Sequence, residues 1–303
     1  MSTLDTGPIV AGYDGSDGAR KAVSWAAAEA GKRRRPLVLV WAFHWPFDKL
    51  ARLFPSASGP LRDAAHAESG RKLAEMAERC RRSVPGIEVR TELADGPPVK
   101  VLAKAAENAA LIVLGASGTG MAARAVLGST VGALAGRCSR PVVVVRGSRL
   151  LGPHEGTVVV GVDGSANSTH ALGFAFDYAA RHGRKLVAVH AWTDLPVDAL
   201  SPVRSWEFDW ELVRVAAAAV LSASLAGWGE RYPDVPVHKV ISVERPAHVL
   251  LDEANSAALV VVGAHGRGRL GRALLGSVSH ALLYHCPCPV AVVGVDGRAA
   301  AGG

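Results

Sequence analysis

The sequence predicts an α/β protein of two tandem domains, each a five-stranded parallel sheet flanked by helices. Three observations predict it. The chain of 303 residues repeats itself: Ile9-Val10-Ala11-Gly12-Tyr13-Asp14-Gly15-Ser16 returns as Val158-Val159-Val160-Gly161-Val162-Asp163-Gly164-Ser165, and Leu37–Ala42 returns as Leu186–Ala191, both at an offset of 149. The offset falls to 148 by Pro98 and Pro246, and a period of that size is a duplicated domain rather than a solenoid repeat. Short apolar runs rich in β-branched residues alternate with helix-compatible stretches, the pattern of strands buried on both faces. Finally, the fourth run of each copy leads into the same glycine pattern.

In the first copy the order reads strand 9–14, helix 17–31, strand 37–43, a long connection, helix 62–81, strand 87–93, helix 97–109, strand 111–115, a loop and helix over 116–138, and strand 141–145. The second copy repeats it from Val158 to Val293. Lys32-Arg33-Arg34-Arg35 falls where the first helix ends, and Arg79, Arg81 and Arg82 lie late in another, where cations favour the negative end of the helix dipole. A proline opens the last strand of each copy, Pro141 and Pro289. The domains are expected at 6–147 and 155–295, joined by the short polar stretch near Gly147–Gly156. Right-handed crossovers place the loops after strands one and four at the carboxyl edge, and a reversal of strand order between those strands makes their mouth the binding crevice.

The glycine pattern is the chemical centre of the reading. Gly115-Ala116-Ser117-Gly118 is followed after nine residues by Gly128-Ser129, and Gly263-Ala264-His265-Gly266 after nine by Gly276-Ser277. Glycines leaving a strand let backbone N–H groups surround phosphate oxygens, because no Cβ blocks the approach. A Gly-Ser pair where a helix begins adds its amides and the helix dipole to the anion site. Tight βα turns alone account for one or two glycines per loop, not for a second Gly-Ser at one fixed distance in both copies. Asp14 and Asp163 are expected to end the first strand of each copy and to face the same ligand.

Composition narrows the function classes. Hydrophobic residues make up 49%, with a mean hydropathy of +0.20, and no apolar run reaches the roughly 18 residues that cross a bilayer. The first residues lack the basic-then-apolar pattern of a secretory signal, so a cytoplasmic protein without membrane partners is expected. The net charge of +7 comes without interleaved aromatics or a helix-turn-helix pattern, which reads as solvated helix faces and not as a nucleic-acid surface. Of the four cysteines, Cys138 and Cys286 are equivalent and Cys288 is extra. His285-Cys286-Pro287-Cys288 has no second cysteine pair to complete a tetrahedral metal site, and small buried thiols in a helix-to-strand turn are expected. The connections after strand two, from Phe43 to Pro60 and from Trp192 to Trp210, are long and rich in proline and aromatics. Trp206, Phe208 and Trp210 suit packing before a lid. His44 carries no assignment.

These features together resemble the universal stress protein family, in its tandem, ATP-binding form with the Gly-x-x-Gly-nine-Gly-Ser/Thr motif. The resemblance covers about residues 6–147 and 155–295. It implies a Rossmann-like fold, flavodoxin-like or adenine nucleotide alpha hydrolase-like, with ATP, free or with Mg2+, across the carboxyl edge and a dimer as the expected homo-oligomer. Carried onto this chain, Asp14 and Asp163 sit by the ribose and adenine, Gly12 and Gly161 keep the backbone low beneath the nucleoside, and Ala42 and Ala191 read the adenine edge through the main chain. The phosphates fall to Gly115, Gly118, Gly128 and Ser129 in copy one, and to Gly263, Gly266, Gly276 and Ser277 in copy two, with amides added at Thr130 and Val278. Copy two keeps the Gly266-Arg267-Gly268-Arg269 loop of the family, whereas copy one has Gly118-Thr119-Gly120-Met121. Tighter binding by copy two is therefore expected, since arginine contributes charge-assisted hydrogen bonds.

A nucleotide cradle is not a catalyst. The Gly-x4-Gly-Lys-Ser/Thr phosphate loop is absent, and the first turn carries an acid where a dinucleotide fingerprint needs clearance. His265, with Ser117 at the matching place, reads as a loop hydrogen-bonder before a catalytic base. A regulatory stress-response module without strong catalysis is the favoured reading, and an ATP-dependent hydrolase or transferase with the same cradle is the alternative.

Overall fold

A computed structural model describes residues 7–45, 55–116, 127–146, 156–191, 210–266 and 275–294. The chain divides into two compact units, residues 1–134 with 140–145 and residues 135–139 with 146–303. The first copy contains β1 (Ile9–Gly12), α1 (Asp17–Arg33), β2 (Leu37–Phe43), α2 (Pro55–Ser83), β3 (Val89–Asp95), α3 (Pro98–Ala106), β4 (Leu111–Gly115), α4 (Ser129–Arg137) and β5 (Val142–Val145). Its strands run parallel in the order β3-β2-β1-β4-β5. The chain moves outward from β1 through β2 to β3, then returns to the other side of β1 for β4 and β5. The reversal falls between β1 and β4, the point at which sheets of this kind place a crevice at the carboxyl ends.

The second copy repeats the plan with β6 (Thr157–Gly161), α5 (Ala166–His182), β7 (Leu186–Ala191), α6 (Trp210–Leu225), α7 (Trp228–Arg231), β8 (Val237–Ser242), α8 (Pro246–Ala254), β9 (Ala257–Gly263), α9 (Ser277–His285) and β10 (Val290–Val293). Its order is β8-β7-β6-β9-β10, again parallel, with the reversal between β6 and β9. The central strands have no solvent face. Ile9, Ala11, Leu111, Ile112, Val113, Val158, Val159, Val160, Val260 and Val261 are all at most 1% exposed. Each fully buried Val or Ile contributes about 1.5–3 kcal/mol by leaving water.

Local chemistry sets the element ends. The first strand stops at Gly12 and Gly161, two residues short of the expected end, because the aspartate side chains fold back on the chain. Ser16 N–H donates to Asp14 Oδ1 at 3.0 Å, and Ser165 N–H to Asp163 Oδ1 at 2.9 Å. This Asx turn needs positive φ at the next residue, supplied by Gly15 (81°) and Gly164 (77°). The serines then cap α1 and α5, with Oγ accepting from Ala19 N–H at 3.1 Å and from Ser168 N–H at 3.2 Å. Helix α2 starts at Pro55, ahead of the expected 62, and carries Pro60 in its second turn. Strand β3 lies two residues later than expected, at Val89–Asp95, in register with β2. Helix α4 covers Ser129–Arg137 of the expected 116–138 stretch, of which residues 117–126 lie outside the described residues.

Cys286 and Cys288 are free thiols, 1% and 4% exposed, with Sγ atoms 3.6 Å apart at the α9–β10 turn. The hydrogen bond from Cys288 holds the Cys286 thiol below its ordinary pKa, while that same bond and burial push Cys288 up. Among the described residues, no helix is long and apolar enough to cross a membrane.

Candidate nucleotide site

The second copy forms a crevice of about 330 Å3 at its strand reversal. Gly161 and Asp163 come from the end of β6 and Ala191 from the end of β7. Gly263 and Gly266 follow β9, and Gly276, Ser277 and Val278 open α9. Residues separated by more than a hundred positions thus meet at one mouth. Leu250 and Val262 form an apolar floor, packed beneath Gly161. Arg267 and Gly268, expected to hold phosphate, lie outside the described residues.

The glycines do different jobs. A Cβ at Gly263 would stand 2.8 Å from Asn167 Cβ and 3.2 Å from the Asn167 carbonyl carbon. At Gly115 it would stand 2.5 Å from the Gly18 carbonyl carbon and 2.8 Å from Ala19 N. Both positions are bare because the first turn of α5 or α1 presses on them, which brings the capped helix start against the strand end. Gly161 and Gly12 are similarly confined by aliphatic side chains, Leu250 and Val262 in one case and Leu114 in the other. Gly276 differs. It has φ −64° and ψ 156°, which any residue adopts, and a Cβ would meet its nearest neighbour only at 3.5 Å. Gly128 is equally free, with a nearest contact of 3.7 Å. Neither backbone shape nor packing demands glycine at these two positions, where a Cβ would make only ordinary van der Waals contacts.

Helix starts differ in the same sense. The N-cap serines satisfy amides at the starts of α1 and α5, whereas N-cap Gly276 offers α9 no side-chain hydrogen bond. The amides of Ser277 and Val278 and the dipole of α9 thus border the crevice, an arrangement suited to an anion. The loop preceding α9 is clasped at its ends: Gly276 N–H donates to the Ala264 carbonyl at 2.9 Å. In copy one Gly128 N–H donates to Ala116 at 3.0 Å. Ser279, buried behind the clasp, donates its hydroxyl to Gly276 (2.9 Å) and Ala264 (3.1 Å).

Asp163 has one oxygen committed to the Asx turn. Its Oδ2 lies 2.9 Å from where a Gly266 Cβ would stand, so the glycine loop closes directly over the carboxylate. The sequence reading did not anticipate Asn167, whose Nδ2 donates to the His265 carbonyl at 2.9 Å and ties α5 to the loop. It also missed buried His190, whose ring Nδ1 is 2.6 Å from the Val162 carbonyl. A polar residue at each of these places, where copy one has Gly18 and Trp41, was the available signal.

In copy one Gly12, Asp14, Gly115, Gly128, Ser129 and Thr130 occupy the corresponding strand and helix ends, and Ala42 lies in β2 one residue before its end. Tyr13 and Trp41 meet edge-to-face with centroids 5.4 Å apart, and the Trp41 ring lies 3.3 Å from the Cβ position of Gly15. Gly118 and Gly120 lie outside the described residues, as does Ser117. Of the aromatics in the long connections, Phe43 and Trp45 stack at 6.3 Å, while Trp206 and Phe208 are outside the described residues.

Sequence comparison gives this arrangement a lineage. The model of the universal stress protein family matches residues 6–146 and again 156–294. The chain belongs to the universal stress protein family. A universal stress protein of Mycobacterium tuberculosis, Rv2005c, is 38% identical over 295 residues, with 94% of this chain and 96% of that protein covered. A universal stress protein of Mycolicibacterium smegmatis is 36% identical over 300 residues, covering 94% of this chain. The crystal structure of a universal stress protein from Archaeoglobus fulgidus superposes with a TM-score of 0.67 at 18% identity, covering 95% of this chain and 98% of that one, which shows the shared fold. The two matches account for the duplication, since each copy is one family unit.

Proposed function

We propose that each copy of this universal stress protein holds an adenine nucleotide, ATP free or as its magnesium complex, and acts as a cytoplasmic regulatory module without strong catalysis that pairs with a second copy of itself. The observation that carries the reading is the crevice at the β6–β9 reversal, where the uncapped start of α9 meets a glycine that neither packing nor backbone requires. Amides there suit phosphoryl oxygens. The Asp163 carboxylate suits hydroxyl groups of a ribose, and the apolar floor of Leu250 and Val262 suits a flat base. In this reading Ala191 and Ala42 present main-chain groups to adenine. Arg267 and Gly268 in copy two, and Gly118 and Gly120 in copy one, complete the phosphate loops. Copy two, with its two loop arginines, is the tighter site.

Denaturing the purified protein and identifying released nucleotide by mass tests the reading directly. Adenine nucleotide in the supernatant, calorimetric binding of ATP, and a steady-state hydrolysis rate well below about 1 per second support a binding module. An empty supernatant with no heat on ATP addition overturns it, and faster turnover overturns the non-catalytic half. Bulky substitutions at Gly118 and Gly266 separately remove the two sites; equal affinities in the two variants end the ranking of the copies.

A further inference from the structure

The parallel ladder between β6 and β7 stops one rung early at the second crevice. Its last paired residues are Gly161 and Val189, and Val162 N–H still donates to the Val189 carbonyl at 2.8 Å. Amides alternate sides along a strand. Leu186 N–H faces β8, donating to the Pro236 carbonyl at 2.9 Å, so His190 N–H also faces β8 and Ala191 N–H faces β6. The next rung would run from Ala191 N–H to the Val162 carbonyl. Among the described residues, no main-chain bond closes it.

The Val162 carbonyl instead lies 2.6 Å from His190 Nδ1. A carbonyl only accepts, so Nδ1 carries the proton. His190 is 3% exposed, so its ring acts on the main chain and not on a ligand. Copy one leaves the same rung open, with the pairing of β1 and β2 ending at Gly12 and Val40. There Trp41 replaces His190 and sets its ring edge-on to Tyr13. A strand-end amide kept off its own ladder is retained where something else accepts from it. Val162, His190 and Ala191 all line the crevice, together with aliphatic Leu250 and Val262. We infer that His190 is a positioning residue: by taking the Val162 carbonyl it keeps the β6–β7 rung open, so that Ala191 N–H donates to an acceptor nitrogen on the base of the nucleotide. The inference rests on the nucleotide reading, and makes base recognition in copy two depend on a side chain that does not touch the base.

The test compares the full chain with its His190→Leu and His190→Gln variants. Leucine cannot donate to the Val162 carbonyl, whereas the glutamine amide can. Hydrogen exchange of the Ala191 amide without nucleotide is read first. In the wild type it should be at least about ten-fold faster than that of Val189, which lies within the paired ladder. His190→Leu should slow it about ten-fold as the rung closes, and His190→Gln should leave it within about three-fold. Calorimetry follows, with ATP, adenosine and inorganic tripolyphosphate. His190→Leu should weaken adenosine binding and one ATP-binding event about ten-fold, with tripolyphosphate binding within about three-fold and every affinity of His190→Gln near wild type. Wild-type exchange and adenosine affinity in His190→Leu overturn the inference, as do equal losses for ATP and tripolyphosphate. If His190→Leu does not fold, a His190→Gln chain that folds but loses adenosine binding overturns it as well. A wild-type chain that binds neither ATP nor adenosine overturns the nucleotide reading, while the exchange comparison still decides whether His190 holds the rung open.

Discussion

At the end of α1, Glu29 and Arg33 form an ion pair at 2.5 Å with side chains only 1% and 5% exposed; at the matching turn of α5, Tyr178 and His182 stack their rings 4.1 Å apart. One residue further the contrast continues. Arg34 ends α1 in the left-handed region at φ 52°, while Gly183 ends α5 there at φ 60°. The copies thus fill one architectural slot with different chemistry. Copy one accepts a buried ion pair and a strained arginine. Copy two uses aromatic contact and a glycine that adopts the same shape freely. Near the crevices the difference runs the same way: copy two has Asn167 and His265 tied by a hydrogen bond, where copy one has Gly18 and Ser117. Duplication preserved the backbone plan and left each side-chain solution free to drift.

The largest expected effect comes from breaking the buried pair. Glu29→Ala removes one partner of a buried ion pair and should destabilise the first copy by about 3–5 kcal/mol in denaturant melts. A loss of less than about 1 kcal/mol would mean that the arginine finds water. Next come the glycines, which fall into two kinds. Gly115→Ala forces a Cβ into the backbone of α1 and should cost about 1–3 kcal/mol with crowding of the strand. Gly276→Val should leave stability within about 1 kcal/mol while lowering ATP affinity at the second crevice at least ten-fold. Equal destabilisation by both would erase the distinction between scaffold and ligand glycines.

Arg34→Gly carries the solution of copy two into copy one. Relief of left-handed strain should stabilise the chain by about 1 kcal/mol, read as a raised unfolding midpoint, and the reverse change Gly183→Arg should lose a similar amount. The smallest effect is a difference in pH response. Copy two has His248 on α8 where copy one has Lys100. The hydrogen bond to Glu244, reinforced by Asp252, raises the His248 pKa above its ordinary 6.5. A raised folded pKa means that the small stabilisation is complete below 6.5 and disappears as pH climbs through the folded value. Thermal melts should show this loss in the wild type and not in His248→Gln; an identical pH profile in the two would remove His248 from the account.

Most of the architecture was legible because buried parallel strands leave few sequence alternatives. Leu111–Gly115 reads as a strand from its apolar run alone, and the repeat supplies each assignment twice. Element ends were less legible because side chains set them. The aspartates at 14 and 163 were read as the last residues of a strand, yet their oxygens bond the backbone two residues on and end the strand early. The candidate site was legible as a spacing and not as a division of labour. Gly115 and Gly276 look alike in sequence, and only the pressure of α1 on the one and the ordinary contacts of the other separate them. Asn167 was missed because a lone polar residue in a first helical turn normally answers to its own helix, whereas here it reaches across to the His265 carbonyl.

The clasp between Gly276 and Ala264, like that between Gly128 and Ala116, joins main-chain atoms only. A bond of that type is indifferent to which side chains lie between its ends. Outside His265 and Gly266, which carry contacts of their own, the intervening segment can be exchanged while the two anchor points keep their spacing. Retargeting such a protein toward another small molecule would begin there, with the sheet and helices left untouched.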